Sequence, residues 1–283
     1  MRKDYILSAL NLVLIAFGIL ILTPIIVALI YKDYYSILPF ITASVISISL
    51  GLLCKLFTGQ KSNFNDLQKK EGLFIVAITW IIIAFIAAIP FLFYGLSPLN
   101  AYFEGVSGVT TTGATILTDF SKYPQAMFFW RSFSQWIGGM GVIVLFIAIL
   151  PQFAVAGREM FFAEAPGPTE EKITPRIKTT ATSLWTIYVS LTLIEIICLK
   201  MAGLPIFDAI CNSLSTIAGG GFSPHQSSII GYNNSAVIWI ITLFMFLSGV
   251  NFSLQYRVVV QRQLKSLLQN AEFFFYLYGT LTF

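Results

Sequence analysis

The 283-residue chain is 57% hydrophobic and only 11% charged, with 17 basic and 13 acidic residues giving a net charge of +4. A soluble domain is closer to half apolar and about a quarter charged, so this composition argues against a water-soluble enzyme and makes the bilayer the solvent. One histidine, His225, and three cysteines without CxxC spacing exclude a histidine-based metal cluster or triad within the chain, and Cys54, Cys198 and Cys211 read as packing residues.

A helix needs about 20 apolar residues to cross ~30 Å of hydrocarbon. Six segments qualify: 6–30, 36–57, 72–94, 125–150, 181–201 and 235–256. The first has too long an apolar run, and no small-residue cleavage site, to be a cleaved signal peptide. The first two form a hairpin through YKDYYS, a turn rich in interfacial tyrosine. The polar linker GQKSNFNDLQKKEG follows.

The chain then does the same thing twice. Residues 72–94 span, 97–124 stay outside and 125–150 return; residues 181–201 span, 203–234 stay outside and 235–256 return. Each outer segment opens on a helix-start signal, Ser97-Pro98 or Gly203-Leu204-Pro205, because proline suits a first turn whose N–H is unpaired anyway. Phe103-Glu104 and Phe207-Asp208 come next, then TTTGAT at 110–115 and STIAGGGFS at 215–223. This is an internal repeat of helix, short re-entrant helix, glycine-containing strand and helix, with extra residues before the glycines of the second copy. The division is a hairpin at 1–60, a linker at 61–71, a first repeat at 72–155, a linker at 156–180 and a second repeat at 181–260.

A helix of about ten residues, such as 98–109 or 205–215, dips into the bilayer without crossing it. The returning backbone survives at that depth only inside protein or along a watery cavity. Glycine lets such a chain turn its carbonyls one way, and a row of carbonyl oxygens replaces the water shell of a cation. The C-terminal end of the short helix adds partial negative charge, and hard oxygen ligands suit alkali cations. TTTGAT therefore reads as one wall of a cation filter. Glycines and threonines in membranes also pack helices together, which is the reading for GGMG at 138–141 inside a continuous apolar span. Glu104 and Asp208 are open to two readings. They are surface carboxylates, or they share a role, tying the short helix to the filter or drawing cations to its mouth. Glu195 and Lys200 read as a possible interfacial pair, and His225 as part of an exposed loop.

With the N-terminus cytoplasmic, thirteen basic residues lie inside and four, Lys32, Lys122, Arg131 and Lys200, outside, as the positive-inside rule requires. No stripe concentrates charge for nucleic acid.

FEGVSGVTTTGAT, with WRSFSQWIGGMGVIVLFIAILP at 130–151, resembles the first pore repeat of the TrkH-type potassium transporters of the Trk/Ktr/HKT superfamily. STIAGGGFSPH at 215–225 and MFLSGVNFSLQY at 245–256 are similar to the second. The resemblance covers nearly the whole chain, and its extra hairpin resembles the Trk branch. It implies an all-α membrane protein of six transmembrane helices with two re-entrant pore-helix and filter loops, in the plasma membrane of a prokaryote. It implies K⁺ as transported ion, no bound cofactor, and a cytoplasmic nucleotide-binding regulatory partner of the TrkA kind. No nucleotide motif occurs in this chain. The filter carries over onto Thr111, Thr112, Gly113 and Ala114, and onto Ala218, Gly219, Gly220 and Gly221, with Gly220 as the counterpart of Gly113. Glycine at the first filter position is the K⁺-type choice; serine goes with Na⁺ in the plant relatives.

The family has four pore repeats around one pore and this chain has two, with 261–283 resembling the truncated start of the third repeat. It stops eleven residues into AEFFFYLYGTLTF, Phe273 to Phe283, too short to span. The expectation is a fragment or truncated product that needs the missing repeats, or a second copy, to close its pore. The competing reading is a truncated non-transporting subunit associated with a full-length relative. An intramembrane enzyme would need a catalytic pair, and none stands out.

Overall fold

The computed structural model describes residues 3–58, 69–141, 173–263, 265, 267 and 269–282. Among them every regular element is helical, with no strand. Helix α1, Lys3–Leu20, and α2, Thr23–Ile30, run almost continuously, with Pro24 in the first turn of α2. They return through Tyr34–Ser36 into α3, Ile37–Leu56. Small residues draw this hairpin together: a Cβ on Gly18 would stand 2.7 Å from Ile48, and one on Gly51 2.9 Å from Ile15. The Ser44 and Ser47 hydroxyls donate across the seam to the Gly18 and Leu14 carbonyls, each at 2.7 Å.

Helix α4, Lys69–Phe93, leads through a turn to α5, Pro98–Val109. Gly105 lets α5 lie against α4, since a Cβ there would come within 2.8 Å of the Ala84 carbonyl. The hairpin turn sits at this same end, where Tyr35 donates to the Phe93 carbonyl at 2.7 Å and Tyr94 to the Ser36 hydroxyl at 2.9 Å. Helix α6 is described over 125–141, so residues 142–150 of the fourth expected span lie outside the described residues, as do the linker residues 59–68 and 156–172. On α6, Trp130 is fully buried against Phe17 and Phe40 and donates to the Ala87 carbonyl at 3.1 Å.

The second half repeats the plan with α7, Ile173–Met201, α8, Ile206–Ile217, and α9, Ser235–Gly249. Met140, Tyr188, Ile217 and Phe244 form one buried cluster from α6, α7, α8 and α9, so the two halves share a core. Cys211 is buried with Phe128 and Phe207 in another apolar cluster, a packing role. The sixth expected span, 235–256, is not one helix: α9 stops at Gly249, Val250 is extended, and α10 runs Phe252–Val259. The Gln255 amide donates to the Leu247 and Val250 carbonyls at 2.6 and 3.0 Å, satisfying the backbone that the break frees. Helix α11, Ala271–Thr282, follows. By length and composition four described segments suffice to cross a bilayer: Lys3–Ile30, Tyr34–Leu56, Glu71–Phe93 and Leu184–Met201.

Candidate cation site

The two glycine-bearing segments are continuations of helix ends. Beyond α5, the Thr111 N–H donates to the Gly108 carbonyl and that of Thr112 to Ser107, both at 3.0 Å; Gly113 donates more weakly to Ser107 at 3.5 Å. Backbone φ is +56° at Thr111 and +74° at Gly113. Alternation of left- and right-handed residues gathers successive N–H groups on one side of the chain. Here that side faces the carbonyls at the end of α5, which a helix otherwise leaves unpaired. Among the described residues, no hydrogen bond reaches the carbonyls of Thr111, Thr112 or Gly113. The arrangement can offer those oxygens to a cation.

The second segment is built the same way. Gly219 donates to the Thr216 carbonyl at 3.0 Å and Gly220 to Ser215 at 2.9 Å, with φ of +69° at Gly219 and +83° at Gly221. Among the described residues the carbonyls of Ala218, Gly219 and Gly220 accept no hydrogen bond. Matching these bonds and torsions sets Thr111, Thr112 and Gly113 against Gly219, Gly220 and Gly221. The counterpart of Gly113 is thus Gly221 rather than Gly220. The same register puts Asn212, not Asp208, in the place of Glu104, so the two carboxylates do not share a position. The Phe-acid landmark misled because the second copy has more helix between it and the glycines.

The segments meet at Gly113 and Gly220. A Cβ on Gly113 would collide with the Gly220 carbonyl oxygen and stand 3.0 Å from its carbon. Glycine is required at 113 twice over, by torsion and by this approach. Beyond the two segments, the Gln226 amide donates to the Thr118 carbonyl at 2.6 Å, joining the loops that follow them. Of the eight residues expected to line the site, Ala114 differs: its carbonyl accepts from the Ser107 hydroxyl at 2.6 Å and so is engaged by α5.

Glu104 ties the short helix to the segment. It is fully buried, and one carboxylate oxygen accepts from the Thr115 hydroxyl at 2.6 Å and the Ile116 N–H at 2.8 Å. The other accepts from Arg131 Nε at 3.1 Å. Arg131 is buried too, its guanidinium 4.0 Å from the centre of the Phe222 ring in the second repeat. Glu104 is therefore a structural tie; its charge is spent on Arg131. The sequence reading missed Arg131, Ser107 and Gln135. For Arg131 a signal existed, because a basic residue within an apolar span implies a partner.

GGMG packs helices, as read: a Cβ on Gly138 would collide with the Val109 carbonyl, and one on Gly139 would stand 3.1 Å from Ala218 Cα. Glu195 and Lys200 do not pair. Glu195 is fully buried beside the Thr216 hydroxyl, whereas Lys200 is exposed. His225 is half-buried against Tyr232 at 5.3 Å and accepts from the Ser227 N–H at 3.2 Å, which gives it a loop-shaping role.

Known proteins resemble the chain throughout. The family model described as TrkH, cation transport protein, matches residues 10–281. The Trk system potassium uptake protein TrkH of Vibrio parahaemolyticus is 38% identical over 260 residues, covering 90% of this chain and 53% of the relative. TrkG of Escherichia coli K12 is 39% identical over 265 residues, covering 92% of this chain and 54% of the relative. The crystal structure of the potassium transporter TrkH from Vibrio parahaemolyticus superposes with a TM-score of 0.86 at 34% identity, covering 98% of this chain and 57% of that one. The chain spans about half the length of the curated relatives it matches. On a match reaching from residue 10 to residue 281, this membrane protein belongs to the TrkH family of cation transport proteins.

Proposed function

We propose that the protein forms part of a potassium uptake pathway across the plasma membrane of a prokaryote, and that residues 111–113 and 218–221 supply two walls of its filter. The observation that carries this reading is the paired construction: each segment donates its N–H groups back to a short helix and leaves a row of carbonyls unbonded. Such a row suits an alkali cation and repels anions. The relatives named as potassium uptake proteins support K⁺ as the ion. In this reading α5 and α8 are re-entrant, the six segments first read as spans cross the bilayer, and the N-terminus is cytoplasmic. The division into a hairpin, two pore repeats and the start of a third unit goes with it. A cytoplasmic nucleotide-binding partner of the TrkA kind would gate the pore.

Thr112, Gly219 and Gly221 are exposed, which fits walls supplied by further polypeptide, since unpaired carbonyls are costly against lipid. The test is K⁺ uptake in transport-deficient cells carrying residues 1–283 alone, or together with the remaining half of a TrkH relative. Uptake only in the second case is expected. K⁺-selective flux by purified 1–283 in liposomes would favour a homodimeric pore, and no uptake in either case would overturn the reading.

A further inference from the structure

Gln135 is a fully buried amide on α6 of the first repeat, and it reaches into the second. Its Oε1 accepts from the Ser215 hydroxyl at 2.7 Å and from the Phe222 N–H at 3.3 Å. The Phe222 N–H can only donate, and this fixes which end of the amide is oxygen. Nε2 then lies on the other side, without a hydrogen-bond partner among the described residues and 3.6 Å from where a Gly113 Cβ would stand. A Cβ on Gly220 would collide with the carboxamide of Gln135, whose atoms are the three nearest to it. The backbone of Gly220 is not in the left-handed region, so Gln135 is the obstacle to a side chain there. Gly113 differs, being blocked by the Gly220 backbone and by its own φ of +74°.

We infer that Gln135 is a positioning residue for ion selection: its carboxamide is wedged behind Gly220 and sets the gap between the two filter segments. The inference rests on reading those segments as a filter. A cation prefers one cage size when its oxygens are held at fixed spacing, and a buried wedge with two accepted hydrogen bonds holds them.

A steric double-mutant cycle tests the wedge without any flux measurement. In the purified chain, Gly220→Ala is expected to lower the melting temperature by about 5 °C or more. Gln135→Ala has its own loss, since it orphans the Phe222 N–H, but it removes the obstacle, so the double variant should lose clearly less than the sum of the two single losses. Gly113→Ala should not be recovered by Gln135→Ala, because its obstacle is backbone. If the losses of Gly220→Ala and Gln135→Ala simply add, the wedge is refuted. Selectivity is read in the chain co-expressed with the complementing half, where Gln135→Ala should lower K⁺-over-Na⁺ preference roughly tenfold, a small loss in free energy. An unchanged ratio in Gln135→Ala, where Gly113→Ser does change it, would overturn the role in selection. An unchanged ratio in both would overturn the filter reading itself.

Discussion

Replacing Glu104 probes how the proposed filter segment is held. Glu104→Ala removes three accepted hydrogen bonds and leaves Arg131 as a buried cation without its carboxylate. Breaking a buried pair by removing one partner costs about 3–5 kcal/mol. The orphaned Ile116 N–H adds roughly 1–3 kcal/mol. At about 2–4 °C per kcal/mol for a chain of this size class, the melting temperature should fall by about 10 °C or more. Glu104→Gln is the sharper probe, since it keeps shape and one acceptor while removing the charge that balances Arg131. Adding Arg131→Met then removes the stranded cation, and the double variant should be more stable than Glu104→Gln alone. Thermal unfolding of the purified chain in detergent, followed by size-exclusion chromatography, measures all three. If Glu104→Gln shifts the midpoint by less than about 2 °C, or if Arg131→Met adds its full separate loss, the buried pair does not hold this site.

In the complemented transporter, Gly113→Ser should weaken selection of K⁺ over Na⁺; unchanged relative Na⁺ permeability would remove Gly113 from the pore wall. Thr111 is a β-branched residue at φ +56°, a strain of about 1–3 kcal/mol, so Thr111→Gly should raise the melting temperature while reducing flux selectivity. Cysteine labelling from outside should reach residues introduced at Asp33 and Tyr232, and labelling at Asp66 and Thr169 should require permeabilised cells; the reverse pattern would invert the proposed topology.

The short helices were legible because their signals are local. The expected 98–109 and the observed Pro98–Val109 agree, since Pro98 opens the helix and Ser97 accepts from the Asn100 N–H at 3.4 Å. The second helix, expected at 205–215 and found at Ile206–Ile217, was read nearly as well. The break after Gly249 was not legible, because apolar composition continues through it and Gln255 supplies the missing bonds. The register of the two repeats was misread for a related reason. Landmarks in sequence carry no torsions, whereas the bonds to Ser107 and Ser215 do. Arg131 entered the topology count as one outside charge, although it is buried on Glu104; counting charges cannot distinguish a solvated cation from a paired one.

The bonds that shape each proposed wall run from Thr112 to Ser107 and from Gly220 to Ser215, only five residues back along the chain. Those that set the distance between walls join Gln135 to Ser215 and Gln226 to Thr118, 80 and 108 residues apart. Closing a short loop costs little entropy and happens early, whereas the long closures must wait for the helices to meet. Each wall can therefore take its shape during synthesis, before a second wall exists to face it. Wall conformation is set by a single helix end. If these segments line a pore as proposed, ion preference is instead acquired on assembly, so mutations that loosen contacts between repeats should change which ion passes while leaving every wall correctly folded.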